Sequence, residues 1–168
     1  MRPKEWSLLS PKHQDILENY LSEFPVKVGQ IAKDLGVKIK ISGMHAGISG
    51  QIKREESGYV IRVNRYELRE RQRFTIAHEL AHFMLHKNLI DSSPDGITDN
   101  VLYRSGAPDN TEYEANRLAA EIVMPGFHVK KAFFEDFNKI PTEEAIENLA
   151  ERFQVSRSAM EVRLSNFL

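Results

Sequence analysis

The chain has 168 residues, the size of one domain, with 28% charged residues and a net charge of −1, which excludes a strong overall pull toward nucleic acid or an anionic membrane. It contains no cysteine, which excludes disulfides and cysteine-based zinc sites and suits a reducing compartment. No run of about 18 apolar residues occurs, and the stretch MRPKEWSLLSPKHQDILENY lacks the apolar core of a secretory signal. The expectation is one cytoplasmic domain over residues 1–168, with no membrane span.

In chain order, Ser10-Pro11 reads as a helix N-cap followed by proline at the first helical position. Ile16, Leu17, Tyr20, Leu21 and Phe24 then recur at helical spacing as far as Pro25. A second short helix carries Val28, Ile31, Ala32 and Leu35 on one face, with Gly36 as its stop signal. The period then changes to two. KIKI (38–41), SGQIKRE (49–55) and GYVIRVN (58–64) read as three strands, and their short connections predict an antiparallel sheet of three or slightly more strands.

Helical periodicity returns from Leu68 to His86, with Ala77, Leu80, Ala81 and Met84 as an apolar stripe. Residues 87–110 contain Pro94, Asp95-Gly96, Gly106 and Pro108 without clear periodicity, apart from a short candidate strand at Val101–Arg104. A connection that long inside one domain is usually functional or mobile, so it is a candidate lid. A further helix runs from Asp109 or Thr111 to Met124, with Ala115, Leu118, Ala119 and Ile122 inward. Helices follow at 127–137 and 142–153, and a last one from Ser156 to Phe167 completes a C-terminal pair within residues 143–168. These elements predict an α+β fold, a small sheet packed against several helices.

The chemistry concentrates in FTIAHELAHFMLH (74–86). His78-Glu79-Leu80-Ala81-His82 is an HExxH motif. Residues i and i+4 share a helix face, so the two imidazoles can converge on one tetrahedral metal ion. Glu79 flanks them, placed to take a proton from a bound water rather than to ligate. Zn²⁺ is the expected ion. It needs a third protein ligand and keeps a fourth position open. His86 lies about 6 Å further along a straight helix than His82, too far for all three rings to share an ion. It fits a helix-end cap, a group supporting a ligand, or a donor to substrate.

TEYEANRLAAEIVMP offers the third ligand from a second helix. Glu112 lies nearer the apolar edge than Glu114, and Asn116 follows at i+4, where it can support a ligand. Thr111-x-x-Glu114 and Asp109-x-x-Glu112 both read as capping boxes, so periodicity favours Glu112 only modestly and leaves Glu114 open.

VNRYELRERQRFTIAHELAHFMLH followed by EYEANRLAAEIVMP resembles the ImmA/IrrE family of metallopeptidase-like proteins, most closely over residues 58–126. The flanks VGQIAKDLGVKI and LAERFQVSRSAMEVRL are similar to the family's usual ones. The departures are Ala81 for the usual Gly, Leu118 for Phe and Ile122-Val123 for Leu-Leu, none of them a proposed ligand. The resemblance implies a compact zincin-like domain of the gluzincin kind. It implies His78, His82 and Glu112 as metal ligands, Glu79 as general base, and zinc-dependent endopeptidase activity on a regulatory protein such as a helix-turn-helix repressor. The alternative is a metal-bearing regulatory protein that sequesters a partner without hydrolysis.

Other residues carry weaker signals. Tyr103, Tyr113 and Arg117 can hold substrate or an oxyanion in principle, but no spacing rule selects them. Arg69, Arg71 and Arg73, with Glu67 and Glu70, read as a solvated helix face. Arg152, Arg157 and Arg163 on the C-terminal pair could meet phosphate, yet Glu147, Glu151 and Glu161 are interspersed and oppose nucleic-acid binding.

Overall fold

Local signals start and stop the elements much as the sequence predicts. The computed structural model describes residues 1–100, 109–138 and 140–168. After a 3-10 turn at Lys4–Leu8, α1 (Pro11–Glu18) begins where the Ser10 hydroxyl accepts from the His13 backbone N–H. The regular helix closes at Glu18, short of Pro25, because apolar spacing records burial rather than helix. Leu21 is still in the core, and Phe24 stacks on His128 and Phe153 from a run of turns. Helix α2 (Val28–Asp34) ends at Gly36 with φ +76°, where Gly36 N–H donates to Lys33 C=O and Val37 N–H to Ala32 C=O. That pair of bonds is the left-handed glycine cap that the sequence suggests.

The three expected strands are present as β1 (Lys38–Ser42), β2 (Ile48–Glu55) and β3 (Gly58–Asn64), and a fourth, β4 (Ile97–Asn100), joins them. The sheet is mixed, in the order β1-β3-β2-β4, which corrects the purely antiparallel expectation. β2 pairs antiparallel with β3 and with β4, but β1 runs parallel to β3, with Lys38 opposite Val60 and Ser42 opposite Asn64. The physical reason lies in composition. β3 buries Val60, Ile61 and Val63 and takes a central place, while β1, with exposed Lys38 and Lys40, goes to the edge. The β1–β2 connection therefore passes β3. Asn64 pins it, donating from its side-chain amide to Ile48 C=O at 2.8 Å.

Helix α3 (Arg69–Leu85) is the spine of the molecule. Residues 77 to 83 are buried on every face, and full burial of Leu80 contributes about 1.5–3 kcal/mol. The helix sits close on the sheet because Gly50 of β2 has no side chain. A Cβ there would lie 2.5 Å from the Thr75 methyl and 2.8 Å from the Arg62 carbonyl oxygen. On its other side α3 makes the most extensive helix–helix contact of the fold, with α5 (Asn110–Val123). Ala77, Ala81, Ala115 and Ala119 are all fully buried in the shared core, and small residues allow close approach. The stretch 87–110 is partly regular, with α4 (Lys87–Asp91) and β4. The candidate strand Val101–Arg104, Tyr103 and the central part of the candidate lid lie outside the described residues.

Helices α6 (Gly126–Phe137), α7 (Glu143–Phe153) and α8 (Arg157–Ser165) complete the chain. α7 and α8 contribute Leu149, Phe153, Met160 and Leu164 to the core. Buried carboxylates tie α5 to both ends of the molecule. Glu5 pairs with Arg117, while Glu121 binds Arg2 at 2.7 Å and Arg163 at 2.5 Å and also accepts from the Gly126 N–H. Of the arginines expected on a solvated face, Arg73 departs. It reaches inward and donates to the Val26 and Gln154 carbonyls at 2.9 and 3.3 Å, binding α3 to two distant loops. Among the described residues no helix is long and apolar enough to cross a membrane.

Candidate metal centre

Helix geometry places His78 and His82 on the α3 face turned toward α5. α5 starts where the Asp109 carboxylate accepts from the Thr111 N–H. From the first turn of that helix the Glu112 side chain crosses to α3. Its Oε2 lies 3.1 Å from His78 Nε2 and its Oε1 lies 3.0 Å from His82 Nε2. The two Nε2 atoms are themselves 3.1 Å apart. His78, His82 and Glu112 thus form a cluster able to hold a metal ion.

The donor set fits zinc. Ligand lengths of about 2.0 Å in a tetrahedron give ligand–ligand edges of about 3.3 Å, close to the observed edges of 3.0–3.1 Å. His78 Nδ1 lies 2.9 Å from Asn116 Oδ1, and His82 Nδ1 lies 3.0 Å from His86 Nδ1. Assigning each Nδ1–H to its outward partner leaves neutral rings with no proton at the centre. Three lone pairs then converge, and a divalent cation would satisfy all three at once.

The electrostatics favour the ligating forms. Burial, first of all, pushes the His82 imidazole below its usual range; Glu112 opposes this, and His78 and His86 reinforce it. The net direction keeps the ring neutral. Burial alone would raise the Glu112 carboxyl, but hydrogen bonds and charge from the His78 and His82 imidazoles, when a ring proton rather than a cation faces it, outweigh that and hold it well below the usual carboxylate range.

Glu79 is different. It is completely buried, and among the described residues neither carboxylate oxygen has a hydrogen-bond partner. Burial pushes its carboxyl well above the ordinary range, and the nearby charges of Asp99 and Glu112 push it further. A buried, unpartnered carboxyl is costly to keep, and here it stands one residue from a cluster of three potential ligands.

The structure separates the two candidate carboxylates. Glu112 joins the cluster, whereas Glu114 accepts from His86, with Oε2 2.8 Å from His86 Nε2. His86 caps α3 and stands outside the cluster. Asn116 takes the supporting position expected of it. Tyr113 is exposed, and Arg117 is committed to Glu5. Asp99 is the residue that sequence reasoning missed. It is 6% exposed on β4 and lies within electrostatic reach of Glu79, and a four-residue strand carries no periodicity from which to find it.

The arginines considered for phosphate contact are paired with carboxylates. Arg152 binds Asp136, Arg157 binds Glu143 and Glu147, and Arg163 binds Glu121. A family model described as Peptidase_M78, IrrE N-terminal-like domain, matches residues 32–165. No curated protein matches the chain.

Proposed function

The chain belongs to the Peptidase_M78 family of the IrrE N-terminal-like domain, and from that premise we propose that it is a zinc-dependent endopeptidase with a narrow substrate range. Family membership supports a metallopeptidase-type function, and the cluster of His78, His82 and Glu112 supports metal binding. These three residues would hold the ion. Zinc bound there supplies Lewis acidity, lowering the pKa of a water molecule and polarising a carbonyl.

Glu79 is the general base. Its carboxylate takes a proton from the attacking water as the water oxygen bonds to the peptide carbonyl carbon. It returns that proton to the amide nitrogen as the C–N bond breaks. The products are a free carboxylate and a free amine. The orphaned, fully buried Glu79 carboxyl beside a three-ligand cluster is the observation that carries this reading. Such a group argues against a protein that only sequesters a partner, and it suits a proton carrier whose pKa burial raises above the ordinary carboxylate range.

The substrate we propose is a folded regulatory protein of the helix-turn-helix repressor class. The test incubates purified, zinc-loaded protein with the repressor encoded beside it and follows cleavage by mass spectrometry. The expected result is one or a few discrete cuts by the wild type and none by Glu79→Ala, with zinc retained at about one ion per chain. Cleavage by Glu79→Ala would remove Glu79 from its role. A stable stoichiometric complex without products would favour sequestration instead.

A further inference from the structure

Helix α5 addresses the two histidines of α3 and the one that caps it from one short stretch. Glu112 meets the Nε2 atoms of His78 and His82, Glu114 meets His86, and Asn116 meets His78. The two ligand imidazoles therefore have different outer partners. His78 rests on a neutral amide. His82 rests on a second imidazole, which rests in turn on a carboxylate.

We propose that His86 and Glu114 form a positioning relay that orients His82 and strengthens it as a metal ligand. This rests on the metal-centre reading above. The proton order is forced by the contacts. To ligate, His82 must present the Nε2 lone pair, so its proton sits on Nδ1 and is donated to His86 Nδ1 at 3.0 Å. His86 must then carry its own proton on Nε2, and it donates that to Glu114 Oε2 at 2.8 Å. Reversing any one tautomer leaves two donors or two acceptors facing each other.

His86 is well suited to this. It ends α3 with φ −129° and ψ 34°, outside helical geometry, and its side chain is only 9% exposed. As the residue four after His82, it lies over the same helix face, so the two rings meet. Glu114 is 30% exposed, so the relay runs from a fully buried ligand to a partly solvated carboxylate. Carboxylate partners fix the tautomer of ligating histidines and raise their basicity, and losing them typically lowers metal affinity 10–100-fold. Here the same influence is passed through an intervening ring.

The test measures Zn²⁺ affinity by chelator competition and the visible spectrum of the Co²⁺-loaded full-length protein. The proteins are wild type, Glu114→Gln, His86→Asn, His86→Phe and His82→Ala. The expected order of affinity is wild type, then Glu114→Gln, then His86→Asn, then His86→Phe, with the last weakened about 10–100-fold and its Co²⁺ bands shifted. His86→Asn keeps an acceptor where Nδ1 stood but loses the link to Glu114, so it should recover part of the loss. A residue that merely capped the helix would change thermal stability without producing that order.

Wild-type affinity and spectrum in both Glu114→Gln and His86→Phe would overturn the relay while leaving the metal centre intact. Should His86→Phe not fold, the partly exposed Glu114→Gln decides alone: lowered affinity supports the relay, unchanged affinity overturns it. Wild-type metal binding by His82→Ala would overturn the centre itself and the relay with it.

Discussion

Glu79→Leu should make the metal-free protein more stable and inactive at the same time. The Glu79 carboxyl has 0% exposure and, among the described residues, no hydrogen-bond partner for either oxygen, and the charges of Asp99 and Glu112 lie nearby. Keeping an unsatisfied buried polar group costs about 1–3 kcal/mol. Leucine has a similar reach and no polar atom, so the substitution removes that cost without opening a large cavity. For a domain of 150–250 residues each kcal/mol moves the melting temperature by about 2–4 °C, so a rise of about 2–12 °C is expected. The assay is calorimetry in excess chelator, because bound metal would add its own stabilisation, with peptide-bond cleavage measured in parallel on zinc-loaded protein. A lower or unchanged melting temperature in the metal-free variant would mean that the carboxyl is satisfied in solution, and the claim of a strained, functional group would fall.

The other expectations concern the scaffold and the ion. Gly50→Ala should destabilise the protein by about 1–3 kcal/mol, since its Cβ would meet the Thr75 methyl at 2.5 Å and a backbone carbonyl oxygen at 2.8 Å. Urea denaturation measures this, and an unchanged midpoint would show that α3 does not depend on that close approach. For Glu5, burial works to raise the carboxyl, but the Arg117 guanidinium outweighs it and the net pKa is lowered. Its contribution is therefore fully present above the ordinary carboxylate range and is lost as pH falls through the depressed native value. The melting-temperature gap between wild type and Glu5→Gln should be constant near neutral pH and close in acid, and a gap that widened on acidification would reverse the sign. Zinc at about 100 times its dissociation constant should stabilise the wild type by about 2.7 kcal/mol and leave Glu112→Ala much less affected, as thermal melts with and without chelator would show.

How far the site could be read from the chain depended on the distance between its parts. The pair His78 and His82 was legible because both lie on one helix, where a spacing of four becomes a shared face. Glu79 was legible for the same reason. Glu112 and Glu114 were harder to separate, since both sit near the apolar edge of α5 and both fit a capping box. The choice between them depends on how α5 is rotated against α3. The packed alanines at 77, 81, 115 and 119 and the ion pairs of Glu5 and Glu121 hold that rotation, and two of those pairs, Glu5–Arg117 and Arg2–Glu121, join residues more than a hundred positions apart. His86 could be set aside as a ligand from axial rise alone, yet its partner Glu114 could be found only once α5 was placed against α3.

The sheet divides in the same way. Period-two alternation located β1, β2 and β3 to within a residue, because alternation is a local consequence of the pleat. It carried no information on which strand lies beside which, so the parallel β1–β3 pair and the fourth strand came only from the folded chain. Sequence alone therefore located most of the helical segments, three strands, two candidate ligands and a candidate base, all set by interactions within a few residues. The choice of Glu112 over Glu114 for the cluster, the order of strands, the position of Asp99 near Glu79 and the inward turn of Arg73 were decided by tertiary packing, because each depends on which distant surfaces exclude water together.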